Sequence, residues 1–167
     1  MSHVAHRAAA PASVRCFILT VSDTRTEETD TGGRAIETLL TEHGHTVVGK
    51  QIIRDEPADV TRIVRERIAS PETQAVITTG GTGITSRDRT YEAVTTLLEK
   101  RLDGFGELFR MLSYQEIGSA AIMSRACAGL AQGTIIILLP GSEPAVRLAM
   151  TKLVLPELGH LVREAGR

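Results

Sequence analysis

The chain contains no tryptophan, and aromatic residues fill only 3% of its 167 positions. That excludes the stacking platforms with which proteins grip single-stranded nucleic acid. A surplus of charge is also missing: 19 Lys and Arg stand against 20 Asp and Glu, for a formal net charge of -1. Neither nucleic acid nor an acidic membrane surface is an expected partner of so balanced a chain. Cysteine is scarce, and Cys16 and Cys127 lie far apart within apolar runs, so they read as buried structural thiols rather than a disulfide framework. No hydrophobic run approaches the ~20 residues that span a bilayer, and no signal-peptide core opens the chain. The expected location is cytoplasmic. The histidines show no metal-ligand spacing: His3 and His6 fall near the N-terminus, and His43 and His45 flank Gly44 at a turn.

What is present is an alternation of strand and helix signals. Residues 1–13 are Ala-rich and aperiodic and read as a disordered tail, leaving 14–167 as one domain. A chain of this length buries about 70% of its unfolded surface without needing a staple. Strands are expected at 14–21, 46–53, 74–79, 125–130 and 134–139. Helices are expected at 33–43, from Pro57 onward, from Asp88 or Thr90 through Val94, Leu97 and Leu98, at 104–114, and from Glu143 to Arg163 with a bend at Pro156. The order predicts an α/β fold: a three-layer single domain with a mostly parallel central sheet flanked by helices. Ligands of such sheets bind beyond the carboxyl ends of the strands. Three of those ends carry loops rich in Gly, Ser, Thr or Asp, at 22–33, 80–90 and 140–144.

The run Thr78-Thr79-Gly80-Gly81-Thr82-Gly83-Ile84-Thr85-Ser86-Arg87-Asp88-Arg89-Thr90 is the most informative of these. Glycines let backbone amides approach an anion with no Cβ in the way, and the hydroxyls add donors. The run lacks the Lys-Ser/Thr ending of a P-loop and the GxGxxG spacing of a dinucleotide fold. A carboxylate does not bind bare phosphate, so Asp88 points either to a metal ion or to a helix cap. Asp55, just before Pro57, carries the same two readings. Asp23 and Asp30 read equally as site groups or as solvated turn residues. Arg87 and Arg89 could be plain surface charge, and Arg110 and Arg125 structural ion pairs.

Taken together, VSDTRTEETDTGG (21–33), IIRDE (52–56), TTGGTGITSRDRT (78–90), GFGELFRMLS (104–113), SRACAG (124–129) and LLPGSEPAV (138–146) resemble the MoaB/MogA family of molybdenum cofactor biosynthesis proteins. The same domain occurs in gephyrin and in plant molybdopterin adenylyltransferase, and the DTRTxxxDTGG variant is similar to the B-type branch. The resemblance implies adenylation of molybdopterin by ATP with Mg²⁺, releasing pyrophosphate. It implies that Asp55 and Asp88 are the catalytic and metal-binding carboxylates. Substrate contacts would fall on Ser22, Asp23, Thr79, Gly80, Gly81, Thr82, Gly83, Ser124, Arg125, Pro140 and Gly141. One departure is Pro140-Gly141-Ser142-Glu143-Pro144 where the family often reads Pro-Gly-x-Pro, which would place the charge of Glu143 beside a phosphate region. The resemblance also implies a homotrimer or homohexamer, and the apolar faces at Phe105–Leu112 and Val146–Leu155 read equally as interfaces or as core of this chain. Two other readings stay open, a non-catalytic molybdopterin-binding or scaffold protein and a nucleotide pyrophosphatase.

Chemistry agrees with a metal role for the carboxylates. A phosphate monoester, with a second pKa near ~6, is largely dianionic at neutral pH and attacks without a general base. Two carboxylates then serve better as ligands for a Mg²⁺ that offsets repulsion between phosphate groups.

Overall fold

From β1 (Arg15–Val21) the chain passes through α1 (Thr31–Glu42), β2 (Thr46–Ile53), α2 (Pro57–Ala69), β3 (Ala75–Thr79), α3 (Thr90–Thr95), β4 (Lys100–Arg101) and α4 (Asp103–Ile117). A 3₁₀ segment, Gly118–Met123, leads to β5 (Cys127–Ala131) and β6 (Thr134–Leu139). The chain then ends in α5 (Glu143–Ala149), a π-helical segment (Met150–Val154) and α6 (Leu155–Ala165). This computed structural model describes residues 9–167. Most of the expected tail therefore lies outside the described residues, while the Pro11 carbonyl rests against Gly159 of α6.

The six strands form one sheet in the order β2-β1-β3-β6-β5-β4. β2, β1, β3 and β6 are parallel, and β5 runs antiparallel to both β6 and β4. Alternate residues of the central strands feed two cores. Cys16, Ile18, Ile77, Ile135 and Ile137 face α1, α4, α5 and α6, while Phe17, Leu19, Val76, Ile136 and Leu138 face α2 and α3. Each fully buried Ile or Leu contributes about 1.5–3 kcal/mol. The three layers follow directly, since strands apolar on both faces must be covered on both. Cys16 and Cys127 are free and buried, one in each core, and burial pushes their thiols up to about 12 and about 11. Among the described residues no helix is long and apolar enough to cross a membrane.

Two expectations change, and one open reading is decided. Helix α3 stops at Thr95, and Leu97 and Leu98 pack as turn residues against the second core, Leu98 closing over Gly129. The C-terminal helix does not simply bend at Pro156. It widens into the π-helical segment one turn earlier, which accommodates a residue that cannot donate to the preceding turn. Val146, Ala149, Met150 and Val154 lie in the core of this chain and are not an interface.

Because β1 lies between β2 and β3, and α1 and α2 cover opposite faces, the chain parts at the carboxyl ends of β1 and β3. This is the topological switch point where such sheets bind ligands. Asp30 helps to hold it. Buried at 2% exposure, it caps α1 by accepting from Gly33 N at 2.9 Å and also accepts from Thr20 Oγ1 at 2.8 Å. It is thus not a solvated turn residue. Asp30→Ala removes a cap and strands the Thr20 hydroxyl, which predicts a loss of about 2–4 kcal/mol in urea denaturation.

Candidate functional site

The glycine loop leaves β3 at Gly80 and enters α3 at Thr90. Gly80 has φ +95° and Gly81 φ +69°. A Cβ on Gly80 would lie 2.1 Å from the Val21 carbonyl oxygen, and one on Gly81 would lie 1.9 Å from Thr90 Oγ1 and 2.6 Å from Asp55 Oδ2. Both the backbone conformation and the space therefore require glycine. The next turn closes on itself, Asp88 Oδ2 accepting from Thr85 N at 2.9 Å and from Thr85 Oγ1 at 2.6 Å. Arg89, not Asp88, precedes the first turn of α3, and no side chain caps that helix. Asp55 does not cap α2 either, since Glu56 holds the N-cap position without a side-chain bond. Asp55 instead reaches across to the glycine loop, accepting from Arg89 N at 3.1 Å and from Thr90 Oγ1 at 3.4 Å.

Arg125 fixes the direction in which this loop faces. Its Nε donates to the Thr82 carbonyl at 3.2 Å and its Nη2 to the carbonyls of Gly83 and, at 3.2 Å, Asp88. The guanidinium pairs with Glu92 and lies 4.8 Å over the Tyr91 ring. Every described peptide bond is trans, so the C=O and N–H of each unit point opposite ways. The amides of Gly83 and Ile84 belong to the units whose carbonyls Arg125 holds, and so they point away from it. Neither has an acceptor among the described residues. The third unit shows the same geometry, with the Asp88 carbonyl on Arg125 and the Arg89 amide on Asp55.

The other expected residues gather around the same edge. Ser22 Oγ accepts from Thr24 N and Arg25 N, shaping the loop after β1. Asp23 takes both arms of Arg87, at 2.8 and 2.9 Å, and accepts from Asp55 N at 3.3 Å. The Arg87 hydrogen bonds hold the Asp23 carboxyl below its ordinary range. Thr79 Oγ1 donates to the Pro140 carbonyl at 2.7 Å, tying the loops after β3 and β6. Ser22, Arg25, Thr79, Gly80 and Gly141 line a cavity of about 220 Å³ at the switch point. Ser124 and Arg125 line a second cavity, about 270 Å³, with Tyr91, Arg101 and Arg110. Both cavities adjoin the glycine loop, the first through Gly80 and the second through Arg125, which is bonded to the loop. Glu143 turns away to Arg147, 2.9 Å from its guanidinium, so it does not confront the Pro140-Gly141 loop.

Thr90, Tyr91, Glu92 and Arg101 are not singled out by sequence reasoning. Arg101 donates to the Tyr91 hydroxyl at 2.9 Å, a contact between chain positions that no spacing rule links. Arg110 donates to the Ala126 carbonyl at 3.2 Å rather than forming the expected ion pair.

Among the described residues no group of three or more His, Cys, Asp or Glu is placed to cage a metal. Mg²⁺ needs no such cage, because it binds through one or two carboxylates together with substrate phosphates and water. Asp55 and Asp88 fit that requirement. Burial, and secondarily the charges of Asp88 and Asp23, raise the Asp55 carboxyl above its ordinary range. Both bonds to Asp88 go to Oδ2, leaving Oδ1 without a donor among the described residues.

A family model described as a probable molybdopterin binding domain matches residues 17–160. The chain is 53% identical over 165 residues to molybdenum cofactor biosynthesis protein B of Bacillus subtilis, covering 98% of this chain and 97% of that protein. The chain belongs to the MoaB/MogA family of molybdenum cofactor biosynthesis proteins. A crystal structure of a molybdenum cofactor biosynthesis protein B superimposes with a TM-score of 0.90 at 51% identity, over 93% of this chain and 98% of that one. The tungsten cofactor synthesizing protein MoaB of Pyrococcus furiosus gives a TM-score of 0.85 at 36% identity, over 95% and 100%.

In this MoaB/MogA-family chain the Asp55 shift has a definite sign. A raised carboxyl pKa in the folded state favours folding fully only below the unfolded aspartate range, and that contribution is lost as pH rises through the folded pKa. Asp55→Asn is therefore expected to be more stable than the parent at pH 7. Denaturation midpoints of the two proteins should converge as the pH falls below the carboxylate range.

Proposed function

We propose that this protein adenylates molybdopterin, using ATP and Mg²⁺. The observation that carries the reading is the pair of cavities adjoining the glycine loop, one walled by Gly80 and the other by Arg125, with Asp55 and Asp88 in that loop's own hydrogen bonds. In the proposed assignment ATP phosphates occupy the switch-point cavity. The amides of Gly83 and Ile84 receive phosphate oxygens, a task suited to fixed backbone donors. The pterin and its terminal phosphate take the arginine-rich cavity beside Tyr91.

The terminal phosphate of molybdopterin, dianionic at neutral pH, attacks the α-phosphorus of ATP without a base. The new P–O bond forms as the bond to the β-phosphate breaks, and pyrophosphate leaves with the electron pair. A Mg²⁺ held by Asp55 and Asp88 would neutralise the crowded phosphate oxygens. Arg125 contributes by positioning, since its donors are occupied by Thr82, Gly83, Asp88 and Glu92. For assembly we propose a homotrimer or homohexamer seated on the outer face of α4 and the 3₁₀ segment, where Leu108, Met111, Tyr114, Ile117 and Ile122 are exposed.

The test is ATP turnover with and without molybdopterin, with the product identified by mass. The proposal expects adenylyl-molybdopterin and pyrophosphate only when pterin is present. Pterin-independent hydrolysis would indicate a pyrophosphatase, and no turnover a binding protein. Asp88→Asn should lower the adenylation rate by on the order of 10²-fold at limiting Mg²⁺.

A further inference from the structure

Arg87 is not needed for the shape of its own turn, which Asp88 and Arg125 already hold. Its guanidinium spans three loops. It projects from the glycine loop, grips Asp23 of the loop after β1 with both arms, and reaches Glu56 of the loop after β2 at 3.1 Å. Asp23 in turn accepts from the backbone of Asp55. Asp23 sits on the same loop as Ser22 and Arg25, which line the switch-point cavity. All three side chains are well exposed, at 48%, 36% and 50% for Arg87, Asp23 and Glu56. Ion pairs this open hold weakly. A phosphate group offers the same fork a doubly charged, bidentate partner.

We infer that Arg87 acts as a latch, which ties the glycine loop to the two neighbouring loops through Asp23 and Glu56 and exchanges those partners for a polyphosphate arriving at the strand ends. The latch rests on the polyphosphate-binding half of the proposed function and adds a residue and an order of events to it. While latched, Arg87 keeps Asp23, Glu56 and the Asp55 backbone in register. Once exchanged, it adds a cation to the bound phosphates and relieves Asp23 of its partner.

The experiment is a double-mutant cycle read by calorimetry with inorganic tripolyphosphate and Mg²⁺. The four proteins are the parent, Arg87→Ala, the pair Asp23→Asn with Glu56→Gln, and the triple variant. Asparagine at position 23 keeps an acceptor for the Asp55 amide. Arg87→Ala should bind about tenfold more weakly, as expected for loss of a charge-assisted fork. The Asp23→Asn, Glu56→Gln protein should bind about threefold more tightly, the worth of an exposed ion pair that no longer has to open. In the triple variant that gain should vanish. A gain of equal size without Arg87 would overturn the latch, since the acidic groups would then act by general repulsion. Parent-like binding by Arg87→Ala would also overturn it, and Arg87→Gln repeats the comparison if alanine impairs folding. Failure of the parent to bind tripolyphosphate removes the proposed function and the latch together, whereas binding and adenylation with an additive cycle removes the latch alone.

Discussion

The site depends on the grip of the Arg125 guanidinium on the carbonyls of Thr82, Gly83 and Asp88. A loop with three glycines has few side chains to pack, and without an external tie its peptide planes would be free to rotate. Arg125 supplies that tie from outside the loop, at the entry to β5, and is itself held by Glu92 and the face of Tyr91. Planarity of the peptide bond does the rest. With the carbonyls committed on one side, the amides of Gly83 and Ile84 are committed on the other. Amides that face away from Arg125 thus follow from an arginine that holds the carbonyls of the same peptide units.

The surrounding fold explains why four separate loops can meet there. Parallel strands β1, β2, β3 and β6 end on the same edge, and the switch between β1 and β3 opens a crevice. Thr79 and Pro140 join one pair of loops, Asp55 and Arg89 another. Asp55 is costly in this arrangement. Only 4% exposed, it is a carboxylate pressed among Gly81, Thr90 and the charges of Asp23 and Asp88. Perturbed and partly desolvated groups of this kind gather at functional sites, where stability is given up for chemistry.

Much of this was legible in the residues. The strands read at 46–53 and 134–139 match β2 and β6 end to end, because each is bounded by turn residues and has no competing helical period. The glycine loop could be read as a phosphate cradle from its residues, and Asp55 and Asp88 as metal ligands or helix caps. Tertiary partners could not. Leu97 and Leu98 show helical spacing but pack as turn residues, because Leu98 covers the glycine at 129 on a strand thirty residues later. Asp88 reads as a metal ligand or a helix cap, and the cap reading fails because its bonds are to Thr85, three residues back. Arg125 reads as a substrate contact or ion pair, and its larger role appears only when residues 82–88 are seen beneath it. A local pattern names the chemistry of a side chain but not the neighbour it meets.

The central claim is that Gly83 and Ile84 present their amides to phosphate because Arg125 holds the Thr82 and Gly83 carbonyls of the same peptide units. Amide hydrogen exchange followed by NMR, with and without ATP and Mg²⁺, tests it most directly. The account predicts that both amides become protected when nucleotide is added, and that Arg125→Ala abolishes this protection while the core strands stay protected. Unchanged exchange at Gly83 and Ile84 on saturation with nucleotide would contradict it, as would equal protection in the Arg125→Ala protein.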